Sequence, residues 1–127
     1  MGSSSQIACL AAPCLLLLSG CGGEPVRVVQ AADGDAHRGL ELVRDVGCGA
    51  CHVIPGVDWP RGTVGPPLIG FGERTLIAGR FPNQPDTLAR WVRDAPSLDP
   101  RTGMTPMPLS EEEARDVAAY LYTLHDD

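Results

Sequence analysis

Cys48-Gly49-Ala50-Cys51-His52 decides how the rest of this 127-residue sequence is read. Two cysteines separated by two residues, with a histidine directly after the second, form the C-x-x-C-H attachment signature for c-type haem. The spacing has a chemical reason. Cys48 and Cys51 project toward one edge of a macrocycle, where their thiols add across the vinyl groups, while His52 is carried beneath the iron as an axial ligand. Three other chemistries use closely spaced cysteines. A thioredoxin-like pair follows a strand in a βαβ unit, whereas here a helical pattern precedes the motif and a Pro/Gly-rich stretch follows it. A zinc site needs a second pair of ligands, and the remaining histidines, His37 and His125, have no partner at ligand spacing. A structural disulfide across two intervening residues is common only as a redox element. One covalently attached haem c, with its iron, is therefore the expected cofactor.

Upstream of the motif, Asp35 is placed to cap a helix over about 36–46, its carboxylate accepting unpaired N–H groups of the first turn. Gly39, Leu42, Val43 and Val46 share one side of that helix. Downstream, Ile54 to Gly72 shows almost no periodicity and carries Pro at 55, 60, 66 and 67 and Gly at 56, 62, 65, 70 and 72. A loop of that length in a compact domain is usually functional. A short helix is expected over about 86–95 with Leu88, Trp91 and Val92 facing inward, followed by a second loop from Pro96 to Pro108. Ser110 stands three residues before Glu113, the spacing of a capping box, and Glu111 and Glu112 suit the positive end of a helix dipole. That last helix runs to about Thr123, with Ala114, Val117, Ala118 and Leu121 as its apolar stripe and Tyr120 beside it.

The chain is thus expected to be all-α, about three to four helices joined by long loops. Its composition fits a domain built around something other than side chains. Aromatic residues are 5% of the chain, against 15 Gly and 12 Pro, which leaves little material for a core of ordinary density. A buried haem is expected to supply the missing volume.

In this order the motifs resemble class I cytochromes c, in their small monohaem bacterial form, over about 35–127. Gly34-Asp35 with Gly39 and Val43 looks like the family's N-terminal helix, and Ala119-Tyr120-Leu121 matches the A-Y-L signature of the last helix that crosses it. The resemblance implies the class I cytochrome c fold wrapped around one haem. It also implies site residues. Gly65-Pro66-Pro67-Leu68 is similar to a G-P-x-L segment in which the proline carbonyl, here Pro66, accepts the Nδ1–H of the proximal histidine. Arg74 lies where the family often pairs an arginine with a haem propionate. Thr102, Trp59 or Trp91 are further candidates for a propionate contact, with Trp91 otherwise a packing residue of its helix.

The sixth iron ligand is open among Met104, Met107, His37, His125 and no side chain at all. A thioether stabilises the ferrous state and raises the potential relative to bis-histidine ligation. The family places its ligand methionine about six residues before the cap of the last helix, and Met104 is six before Ser110. Met104 is therefore the expected ligand and Met107, followed by Pro108, a packing residue over the haem edge; His37 and His125 are expected at the surface.

The N-terminal region reads separately. Ile7 to Leu18 is apolar apart from Pro13, shorter than the roughly 20 residues that span a bilayer core, and has the character of a signal-peptide h-region. It ends in Leu18-Ser19-Gly20-Cys21, which resembles the lipobox of bacterial lipoproteins. Residues 1–20 are accordingly expected to be a signal peptide, discarding Cys9 and Cys14, residues 21–34 a flexible linker, and residues 35–127 the haem domain. A lipidated Cys21 would hold the protein on the periplasmic side of the cytoplasmic membrane, where c-type haem is attached.

Net charge is −6 and every basic residue is Arg. No basic stripe exists for phosphate backbones, so nucleic-acid binding is not expected. The functional expectation is outer-sphere electron transfer between a redox donor and an acceptor, with a terminal oxidase among the candidate acceptors. A haem subunit of a larger oxidoreductase and a haem-based gas or redox sensor are the alternatives, and a peroxidase is disfavoured because no distal histidine is well placed.

Overall fold

The structure is a computed structural model and describes residues 33–126. The signal peptide, Cys9, Cys14, the Cys21 lipobox and nearly all of the linker lie outside these residues. Three α-helices carry the fold: α1 (Ala36–Asp45), α2 (Pro85–Leu98) and α3 (Glu111–Tyr122). Short 3₁₀ turns at Cys48–Ala50 and Phe71–Glu73 and a two-stranded antiparallel hairpin, β1 (Leu76–Ile77) and β2 (Phe81–Pro82), complete it.

Both outer helices start as the sequence dictates. Asp35 Oδ1 accepts the N–H groups of His37 at 2.9 Å and Arg38 at 3.2 Å. At α3, Ser110 Oγ accepts Glu113 N at 3.2 Å while the Glu113 carboxylate accepts Ser110 N at 2.7 Å, completing the box. These bonds hold both carboxyls below the usual carboxylate range, chiefly through the Arg38 N–H for Asp35 and the Ser110 N–H for Glu113.

Helices α1 and α3 cross in close contact. A Cβ at Gly39 would fall 2.0 Å from the carbonyl oxygen of Asp116, so only glycine admits this approach. Asp116 is itself buried, and its charge is met from α1: Oδ1 accepts the backbone N–H of Asp35 at 2.8 Å, and Oδ2 accepts Arg38 Nε. A buried carboxylate would be costly without such partners. Val43, Val117, Leu121, Leu88, Val92, Ile54, Phe71 and Ile77 form the centre of the apolar cluster.

The expected stripe on α3 is buried, but Ala119 and Tyr120 are buried as well, because α3 is flanked by α1 on one side and α2 on another. Helix α2 runs past the expected end at 95 and breaks at Asp94 (φ −151°, ψ 72°). Pro96 supplies the cause: its ring would clash with the Val92 carbonyl and it has no N–H to return, so the ladder is interrupted ahead of it. The hairpin is an addition to the expected elements. Trp91 on α2 packs against Phe81 of β2, ring centroids 5.6 Å apart, which joins hairpin to helix.

Candidate haem site

The signature lies directly after α1. Gly47, in the left-handed region at φ 79°, turns the chain, and Cys48–Ala50 form the 3₁₀ turn that presents the motif. Neither cysteine is in a disulfide. Cys48 is half-buried against the core and burial pushes its thiol up, whereas Cys51 is exposed.

The following loop is laid back onto the motif by backbone hydrogen bonds, Gly62 N to Gly49 O at 2.7 Å and Gly65 N to Cys51 O at 2.8 Å. Glycines make this contact possible on both faces. A Cβ at Gly49 would meet Pro60 O at 2.5 Å, and one at Gly62 would meet Ala50 O at 1.9 Å. Gly65 is fitted to the histidine itself, since a Cβ there would stand 2.3 Å from His52 Cε1. His52 Nδ1 lies 2.7 Å from Pro66 O. With Nδ1–H donated to that carbonyl, the neutral tautomer leaves Nε2 as the nitrogen able to bind a metal. Two cysteines, a histidine oriented for Nε2 ligation and a loop stripped of Cβ atoms around it make a donor set that fits haem c.

Arg74 follows the second 3₁₀ turn. Its Nη2 donates to Pro67 O at 2.7 Å and Ile69 O at 3.0 Å, and its guanidinium lies over the Phe71 ring, 5.5 Å from the centroid. It therefore braces the segment that contains Pro66. Asn83, fully buried, was not singled out by sequence reasoning; its Nδ2 donates to Arg74 O at 2.8 Å and its Oδ1 accepts the Tyr122 hydroxyl at 3.0 Å. Burial pushes the Tyr122 phenol up to about 12. A lone polar residue between an irregular loop and a hairpin gives no periodic signal.

The two methionines are placed differently. Met107 packs against the apolar cluster, its N–H donates to Arg93 O at 2.8 Å, and it leads into buried Leu109. Met104 stands outside that cluster, its N–H held by Thr102 Oγ1 at 3.2 Å. His37 lies 3.8 Å from Glu41, and His125 lies 3.5 Å from Glu73, both exposed. Trp59 is 86% exposed. Among the described residues no helix is long and apolar enough to cross a membrane.

Comparison with known proteins agrees with this fold. The cytochrome c family model matches residues 36–125. The chain is 34% identical to cytochrome c oxidase subunit 2 of Alkalihalophilus pseudofirmus over 104 residues, 80% of this chain and 29% of that protein. It is 31% identical to cytochrome c oxidase subunit 2 of Bacillus subtilis over 90 residues, 68% of this chain and 25% of the relative. The chain thus spans under a third of the length of these relatives. Among solved structures, SoxXA from P. pantotrophus superposes with a TM-score of 0.54 at 24% identity, over 73% of this chain and 83% of that one, a likeness of fold.

Proposed function

Because the chain belongs to the cytochrome c family and carries covalently bound haem c for electron transfer, we propose that it is a membrane-tethered electron carrier on the periplasmic side of the cytoplasmic membrane, working in a respiratory chain. The bound haem supplies a one-electron Fe(II)/Fe(III) couple. The chain's own residues do the rest. Cys48 and Cys51 would hold the macrocycle, and His52, oriented by Pro66, and Met104 would ligate its iron. The observation that carries the reading is the His52–Pro66 contact at 2.7 Å beside Cys48 and Cys51, neither of them in a disulfide.

For the distal side, Met104 is favoured because Met107 is already committed to the apolar cluster. Arg74 is the residue assigned to a propionate; its Nη2 serves loop carbonyls, which orients the guanidinium beside the His52 loop. Tethering rests on the Leu18-Ser19-Gly20-Cys21 lipobox and on the stretch after it, which opens with Gly22, Gly23 and Pro25. Acyl chains on one cysteine give the two or more lipid signals that stable anchoring takes. Contacts with donor and acceptor, a terminal oxidase among them, would be small and transient, and the acidic balance suits basic or apolar partner surfaces.

One observation favours a second reading, a haem subunit of a larger oxidoreductase: the relatives above are subunits of cytochrome c oxidase. Membrane extraction from a haem-attaching host separates the two. A carrier elutes at its own mass, with a six-coordinate low-spin spectrum in both redox states, and Cys21→Ser releases it to the soluble periplasmic fraction. Stable co-purification with other subunits supports the second reading, and a high-spin spectrum overturns the His52/Met104 assignment.

A further inference from the structure

The segment that presents Met104 is organised by one carboxylate. Asp99, at the end of α2, donates its N–H to Ala95 O at 2.9 Å, and its side chain is only 13% exposed. Oδ2 accepts Arg80 Nη1 at 2.5 Å, and Oδ1 accepts the backbone N–H of Arg101 at 3.1 Å and Arg101 Nε at 3.4 Å. Asp99 O in turn accepts Thr102 N at 3.0 Å, and Thr102 Oγ1 accepts Met104 N at 3.2 Å. A continuous chain of bonds thus runs from Arg80, in the turn of the hairpin, through Asp99 and Thr102 to the backbone of Met104. The hairpin end is itself anchored by buried Ile77 and by Phe81 against Trp91.

Among the described residues, the Asp99 carboxylate shares its shielding with Asp116, which binds Arg38 at the α1–α3 crossing, and with no other paired carboxylate. The carboxylates of Glu111 and Glu112, paired with Arg93 and Arg38, are more than two-thirds exposed, the setting in which ion pairs contribute little. Asp99 is shielded, holds two cations, and fixes a backbone turn with the same carboxylate. Charge-assisted bonds of that kind position as well as attract.

We propose that Asp99 is a positioning residue for the distal side of the haem: held by Arg80 and Arg101, it fixes residues 99–104 so that the Met104 thioether resists displacement from the iron. This inference rests on Met104 being the sixth ligand. Loosening the segment leaves the thioether itself unchanged but lowers the cost of opening the distal side, so an external ligand competes more successfully. The readout is a population shift between closed and open arrangements.

The test uses imidazole titrated into the purified ferric holoprotein, following loss of the weak far-red band of Met-ligated ferric haem. Asp99→Asn and Arg80→Gln are expected to raise apparent imidazole affinity about fivefold, as loss of a partly shielded ion pair implies, with Asp99→Glu nearer the parent. Molar salt should raise the affinity of the parent and raise that of Arg80→Gln less, since that variant keeps only the exposed Arg101 contact to screen. Haem content and the reduced spectrum report intact folding. Should Asp99→Asn fail to accumulate with haem, Arg80→Gln decides, because it leaves the Asp99 carboxylate and turn in place. Equal imidazole affinities in parent and variants, with a far-red band that Met104→Ala removes, overturn the inference and leave the ligand assignment standing. A band that survives Met104→Ala overturns both.

Discussion

His52 Nδ1 and the carbonyl oxygen of Pro66 lie 2.7 Å apart, with Gly65 packed against the imidazole ring. The ring is held by one hydrogen bond and by the absence of a side chain. Gly65→Ala places a methyl group 2.3 Å from Cε1, and the ring or the loop must shift. Haem should remain covalently bound in denaturing gels, since both thiols persist, while the native spectrum changes spin state and the reduction potential moves. An unchanged spectrum and potential would show that the imidazole is not held this way.

The methionines should separate cleanly. Met104→Ala is expected to abolish the far-red ferric band with little loss of fold. Met107→Ala should keep the band and lower stability by roughly 1–2 kcal/mol, less than truncation of a fully buried methionine, because Met107 is half-buried on the apolar cluster. Absorption spectra and denaturant midpoints distinguish the two, and a reversed pattern would exchange their roles.

Gly39→Ala tests the helix crossing. Its Cβ would sit 2.0 Å from Asp116 O, which α1 can relieve only by sliding off α3. Overpacking of this kind costs about 1–3 kcal/mol, read as a fall in Tm at unchanged haem content. A Tm equal to the parent's would mean that the helices cross less closely.

Acid should weaken the fold from its helix starts. Asp35 and Glu113 have folded-state pKa values below their ordinary values, so they bind protons more readily when unfolded. Their contribution is present above about pH 4, the ordinary carboxylate range, and is lost as pH falls through and below it. Helical circular dichroism followed against denaturant at pH 7 and near pH 3 should show lower stability in acid. Asp35→Asn should reduce that pH dependence.

Much of this was legible in the chain itself. The motif at 48–52, the cap at Asp35, the box at Ser110 and Glu113 and the periodic stripe of α3 each depend on residues close in sequence, so local physics writes them plainly. The hairpin was not legible. Its strands have two residues each, too few to show alternation, and its turn puts Ala78 at φ 51°, where propensity favours glycine. The break at Asp94 was half visible, since Pro96 marks an interruption without saying that helical structure resumes beyond it. Asn83 and Asp99 escaped notice because their partners, Tyr122 for the one and Arg80 for the other, are distant in sequence.

The bond from Asp35 N to Asp116 Oδ1 closes a span of 81 residues. Contacts so remote in sequence form late, because the entropy of closing the intervening chain must be overcome before they yield any return. A polypeptide emerging N-terminal end first cannot seal the α1–α3 crossing until α3 has followed. Through that interval Cys48 and Cys51 hang on an unsealed chain, within reach of whatever enzyme joins them to haem. Closure by α3 then completes the packing around half-buried Cys48 and leaves Cys51 exposed.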